Sequence, residues 1–137
     1  MLQNPIFQVL NDTQARLIWN DIKAGVQRAI DGTPGNEIKD IERYVMTATA
    51  RVIVIKDDDN KRFGSVIYMP IGDMAFIVSI EGYDMVNIDN GKCFHDYMKT
   101  LGFKNTNCLA APVQARLWKR LGYKPVKTLL EKDIWAE

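Results

Sequence analysis

The chain reads as a single α/β (α+β) domain with a mixed, mostly antiparallel central sheet flanked by about four helices. Three observations predict it. Apolar residues recur at helical spacing through the first third of the chain, and from Arg51 the period changes to extended runs rich in β-branched residues. After three such runs the pattern alternates helix, strand, helix, strand, which lays helices against a sheet rather than against one another. At 137 residues the whole chain, 1–137, is the size of one domain with one core.

Taken in order, Asn11, Asp12 and Thr13 supply cap oxygens for the unpaired amides of a first helical turn. Leu17, Ile18, Ile22, Val26, Ala29 and Ile30 follow at helical spacing, so a first helix runs to about Asp31. Gly32, Pro34 and Gly35 stop it, and Asn36 caps a second helix that carries Ile38, Ile41 and Val45 on one face and ends near Thr47. Val52-Ile53-Val54-Ile55 is continuous and β-branched, as expected of a strand covered on both faces. Asp57-Asp58-Asp59-Asn60 turns the chain into a return strand from Phe63 to Met69, and Gly72-Asp73 makes a second tight turn into a third strand from Met74 to Ile80. Phe94, Tyr97, Met98 and Leu101 then mark a helix face ended by Gly102, with a short strand from Phe103 to Leu109 behind it. A last helix carries Gln114 to Tyr123, and Val126 to Leu130 is strand-like.

Charge and composition exclude some functions. Eighteen Lys and Arg against seventeen Asp and Glu leave a net charge of +1 with both signs interspersed, so no extended basic field exists to hold a polyanion. Tyr44, Tyr68, Tyr83, Trp19 and Trp135 are scattered and form no stacking platform for single strands. Nucleic acid is therefore not an expected partner. Cys93 and Cys108 lack metal-ligand spacing, and reduced thiols in a cytoplasmic setting are expected. Met1 to Leu10 is too short and too polar for a signal peptide's apolar core or a spanning helix, so no membrane partner is expected.

The order of elements, together with Leu117-Trp118-Lys119-Arg120-Leu121-Gly122-Tyr123, resembles the GNAT superfamily of acyl-CoA-dependent N-acyltransferases. The late helix of that family commonly reads leucine, tyrosine, two polar residues, leucine, glycine and an aromatic. The resemblance covers about residues 12 to 134 in topology, and its motif-level match is this one helix. In overall character the chain is also similar to small GNAT-like proteins of short-tailed phages, some of them internal virion proteins. That likeness implies a phage-like origin and, beside the cytoplasm, a place in the virion.

The resemblance also says where chemistry would sit. The family binds the acyl-CoA pyrophosphate on a loop reading Gln or Arg, two residues, Gly, one residue, Gly or Ala, at the start of the third helix. Bare backbone is needed there because amides at a helix N-terminus point at the anion. Counting back from Leu101-Gly102-Phe103 places the loop at Gly82-Tyr83-Asp84-Met85-Val86-Asn87, with Met85 and Asn87 where the glycines belong. Asp84 and Asp89 add like charge beside the anion. A loop shifted to Asn90-Gly91-Lys92 is the alternative, itself set against an irregular helix start. Where active relatives carry a tyrosine that protonates the departing thiolate, this chain has Trp118, whose indole has no useful acid pKa; Ala111 stands at the family's asparagine.

The candidate catalytic residues are thus Glu81, as a general base at the end of the third strand, and Trp118, with a solvated strand end and an apolar anchor as their structural alternatives. Backbone amides of Val78 and Ile80 would hold the thioester carbonyl, and Asn87, Asn90, Gly91 and Lys92 would face the cofactor. His95 is the sole histidine, but two residues from Cys93 on a helix it points elsewhere, which makes it a surface or boundary residue. The acidic run at Asp57 lacks the ligand spacing of an EF-hand and reads as a solvated turn. Arg116, Lys119, Arg120, Lys124 and Lys127 read as the polar face of the late helix or as a surface for phosphates or an acidic partner.

Three functional readings follow. One is a GNAT-like domain with an eroded acyl-CoA site, serving as a structural or protein-binding module that engages a protein partner or a second copy of itself and needs no cofactor. Another is an active N-acetyltransferase that uses acetyl-CoA through an atypical loop. The third is a non-enzymatic variant of these, regulation through CoA binding without turnover. The end of the third strand discriminates them: an enzyme needs it splayed from the next strand, whereas Tyr83 and Met85 filling that gap favour a scaffold. For the module, an exposed apolar patch would mark the partner face.

Overall fold

The computed structural model describes residues 5–31, 37–82, 88–108 and 118–124. Its elements run β1 (Ile6–Val9), α1 (Asp12–Ile30), α2 (Ile38–Met46), β2 (Arg51–Lys56), β3 (Arg62–Ile71), β4 (Met74–Gly82), α3 (Ile88–Thr100) and β5 (Asn105–Cys108), with a further helical turn at 118–120. The strands form one sheet in the order β1-β2-β3-β4-β5, antiparallel except where β5 runs parallel to β4. The late strand expected at Val126 to Leu130 lies outside the described residues, as do the interhelical Gly32 to Asn36.

Local chemistry explains most boundaries. Asn11 caps α1 by accepting from the Gln14 amide at 2.8 Å, while the Gln14 side chain accepts from the Asn11 amide at 3.0 Å. These reciprocal bonds satisfy two otherwise orphaned donors. The turn after β2 is organised by Asp57, whose carboxylate accepts the amides of Asp59 and Lys61, each at 2.9 Å. That carboxylate is therefore an Asx-turn acceptor. β1 is an element the sequence analysis did not assign, because a four-residue alternation is too short to separate from loop by pattern. Pairing makes it a strand: Ile6 to Val9 lie opposite Lys56 to Ile53.

The sheet is buried on both faces. Trp19, Ile22, Val26 and Ile30 of α1 and Ile41 and Val45 of α2 pack on Val52, Val54, Ile67 and Val78. On the other face Phe94 and Met98 of α3 cover Ile53, Ile55, Val66, Tyr68, Ala75 and Ile77. Alternate residues of β2 thus serve opposite cores, which is why that strand is apolar throughout, as its sequence predicts. Polar groups pin the helices. Trp19, 1% exposed, donates from Nε1 to Glu42 Oε1 at 2.7 Å and so ties α1 to α2. On the opposite face the Val9 amide of edge strand β1 donates to the Tyr97 hydroxyl at 3.2 Å, and Phe7 stacks on the Tyr97 ring with centroids 5.3 Å apart. α3 thereby covers an edge that would otherwise be open to another chain. No helix among the described residues is long and apolar enough to cross a membrane.

Candidate functional site

β4 is the element around which the candidate residues gather. Its register against β3 steps from Ile67↔Ser79 to Tyr68↔Ile77, so Val78 and Ser79 together occupy one step of β3. This is a β-bulge, a device that bends a strand and re-aims its residues. Below it the ladder to β5 runs from Met74↔Asn105 to Ile77↔Cys108, and above it β4 continues to Gly82. The bulge therefore falls within the Val78 to Glu81 stretch singled out in the sequence. Val78 is 5% exposed and packs in the α1 core, while Ile80 is half-buried toward α3. Tyr83, Met85 and Asn87, and with them the proposed phosphate loop, lie outside the described residues.

Glu81 sits on the α1 face, opposite Ser65. Its Oε1 accepts from Ser65 Oγ at 2.9 Å and lies 3.5 Å from Arg62 Nη1. Its side chain is only 12% exposed, because α1 lies over it at Gly25. A Cβ on Gly25 would stand 2.5 Å from Glu81 Oε2, so the helix comes this close only because position 25 has no side chain. Glu81 is thus a held carboxylate beneath a helix and not a solvated strand end. Two residues back on the same face, Ser79 is 4% exposed, and its hydroxyl has no hydrogen-bond partner among the described residues. Sequence reasoning missed Gly25, Arg62, Ser65 and Ser79. The one available signal was a glycine inside an otherwise good helix, which marks a close approach.

The start of α3 carries the other candidates. Asn90 is 1% exposed and Gly91 is buried, while Lys92 is exposed. A Cβ on Gly91 would lie 2.8 Å from Leu121 Cδ1 and 3.1 Å from Cδ2, so its bare Cα serves the contact between α3 and the turn after the late helix. Gly91 lies within the helix, three residues beyond its first residue Ile88.

Behind this contact a polar network joins three elements. The Tyr123 hydroxyl lies 2.7 Å from His95 Nε2 of α3 and also bonds the Thr106 hydroxyl of β5. The Trp118 ring meets Tyr123 edge-on with centroids 5.2 Å apart. Burial pushes the Tyr123 phenol up to about 12, against a smaller opposing pull from Thr106. Burial also lowers the His95 pKa, outweighing the opposite effect of Asp96, so the imidazole is neutral at pH 7. His95 falls at the boundary between core and surface, but its contact with Tyr123, which in turn bonds Thr106 of the sheet, was not legible, since Tyr123 lies 28 residues away. Trp118 is half-buried as part of this packing, and Lys119, Arg120 and Lys124 are exposed around it.

Other chemistries find little support. Both cysteines are free thiols, and no group of three or more His, Cys, Asp or Glu that could hold a metal occurs among the described residues. A groove of about 430 Å3 opens between α1 and the strands, lined by Leu10, Leu17, Ile18, Asp21, Val54 and Arg62 among others. Leu17 is 77% exposed there.

No protein-family model matches the chain, and no curated protein matches it in sequence. Solved structures do. A ribosomal-protein-alanine N-acetyltransferase from Brucella melitensis matches with a TM-score of 0.62 at 12% identity, over 96% of this chain and 99% of its own. The Tetrahymena GCN5 structure matches with a TM-score of 0.64 at 16% identity, over 85% and 77% of the two chains. A spermidine N-acetyltransferase from Vibrio cholerae, solved with CoA and spermine, matches at 0.60 and 16%, over 93% and 85%. At these identities the likeness establishes the fold.

Proposed function

The domain has the fold of the GNAT acetyltransferases, and we propose that it is a binding module in which the acyl-CoA half of that fold has been converted to structural use. One observation carries this reading. Gly91, the glycine a shifted phosphate loop would need, is held inside α3 with its bare Cα against Leu121. Asn90, the residue before it, is buried as well. Trp118 at the position of the family's tyrosine acts the same way, packing edge-on against Tyr123. Among the described residues, nothing around Gly91 offers the backbone approach that a pyrophosphate requires.

A second reading, an active acetyl-CoA-dependent N-acetyltransferase, is favoured by the bulge at Val78 and Ser79. In that case β4 amides at Val78 and Ile80 would meet the thioester carbonyl, and Glu81 would take the proton of the amine. Isothermal titration of the chain with acetyl-CoA and with CoA separates the two. The module reading expects neither heat nor thermal stabilisation at millimolar ligand. Micromolar binding of either compound overturns it and returns the chain to the enzymes.

A further inference from the structure

The groove between α1 and the strands lies at a corner of the sheet that α1 leaves partly uncovered. Ile6 and Gln8 of β1 stand opposite Lys56 and Val54 of β2 and so share a sheet face with them. Val54 packs in the α1 core, which makes this the α1 face, yet Ile6 is 50% exposed and Gln8 is exposed as well. Leu10, Ile18 and Val54 give the groove an apolar lining, and Leu17 of α1 stands at its wall with most of its side chain in solvent. A large apolar side chain standing free beside an apolar groove marks a face that meets another protein.

The charges in the groove say which protein. Arg62 is engaged by Glu81 at 3.5 Å. Lys56 is half-buried and donates only to the neutral Gln8 Oε1, at 3.3 Å, with no carboxylate partner among the described residues. Asp21, one helical turn after Leu17 on α1, is exposed and also has no ion pair among the described residues. The uncommitted charges are therefore one of each sign, Asp21 on the helix wall and Lys56 on the strand wall, and they do not pair with each other. One surface thus carries an apolar knob and a groove to receive it, and a carboxylate and an ammonium that each lack a counterion. Such a surface is complementary to itself: about a two-fold axis residue i of one copy meets residue j of the other while j meets i, so every unmet group is satisfied twice over.

We propose that this groove is a self-association interface, in which Leu17 of each copy enters the groove of the other and Asp21 of each copy pairs with Lys56 of the other. This deepens the binding-module reading, on which it rests, by naming the partner as a second copy of the chain; because the assay measures mass and contains no CoA, either idea can fail without the other.

The test is sedimentation equilibrium of the whole chain from low to high micromolar concentration, where the mass should rise from that of one chain to that of two. Leu17→Gln, a change at an exposed helix position, should weaken the association by about tenfold or more. Asp21→Lys and Lys56→Glu each set like charges against one another at both ends of the interface, and each should weaken it by about tenfold. In an equimolar mixture of these two variants every pair is again of opposite sign, and association should return to the wild-type strength. Neither a folding defect nor a pairing within one chain could be rescued by mixing. A mass that stays that of one chain throughout overturns the proposal and leaves the groove to a different protein. A mixture that associates no better than its two components overturns it as well.

Discussion

Replacing Gly25 with alanine should reveal whether Glu81 is clamped under α1. Two effects of opposite sign meet at this site. Alanine in a helix interior is favoured over glycine by about 1 kcal/mol. Against it, the new methyl carbon would lie 2.5 Å from Glu81 Oε2 and 2.9 Å from its Cδ, so the carboxylate has to move. Moving it forfeits the Ser65 bond of 2.9 Å, worth about 1.5–3 kcal/mol for a charged acceptor. It also loosens the Arg62 pair, worth less than about 1 kcal/mol because Arg62 is one-third exposed. The net expectation is destabilisation by about 1–2 kcal/mol, a fall of roughly 3–7 °C in Tm for a domain of this size. In a Glu81→Ala background the three atoms nearest the methyl are gone, and Gly25→Ala should then stabilise by about 1 kcal/mol. The cycle is read by urea unfolding of the four proteins, with a coupling of about 2–3 kcal/mol between the sites. If alanine stabilises both backgrounds alike, the carboxylate does not lie against α1, and the account of Glu81 as a held group is wrong.

Other perturbations test the remaining contacts. Gly91→Ala should change stability by less than about 1 kcal/mol, since it meets only the methyl ends of Leu121 and improves helix propensity, whereas Gly91→Asp should cost about 2 kcal/mol or more by setting a charge on those methyls; similar values for the two in urea melts would remove Leu121 from the contact. Tyr123→Phe deletes the hydroxyl between His95 and Thr106 and should cost about 1–3 kcal/mol by chemical denaturation. The same variant checks alkaline behaviour. With the folded phenol raised from 10.0 to about 12, the unfolded chain loses its proton first, so stability is lost as pH rises between these values, by at most about 2.7 kcal/mol; the phenylalanine variant should lack that limb. In acid the sign reverses for His95: its folded pKa lies below 6.5, the unfolded chain binds the proton first, and stability falls as pH drops below 6.5. A flat Tm from pH 7 to 5 in wild type, with His95→Gln behaving identically, would show that His95 is not buried against Tyr123.

What the sequence determined by itself is the set of elements that rest on local chemistry or on long periodic runs. Asn11, Asp12 and Thr13 mark the start of the first helix, the unbroken Val52 to Ile55 run requires cover on two faces, and Gly72 and Asp57 place the turns of the meander. These effects act within a few residues, so one sequence suffices for them, and they sufficed for the fold class. The residues that give the site its character depend on separations that no local pattern spans. Gly25 is an unfavourable helix residue until Glu81, 56 positions later, is laid beneath it. Gly91 gains its contact with Leu121, and Glu81 its bonds to Ser65 and Arg62, from segments that the sequence around them does not reveal. Only the tertiary structure decided these cases, because a glycine's vacancy or a carboxylate's charge acquires its role from whichever atom the fold brings within about 3 Å of it.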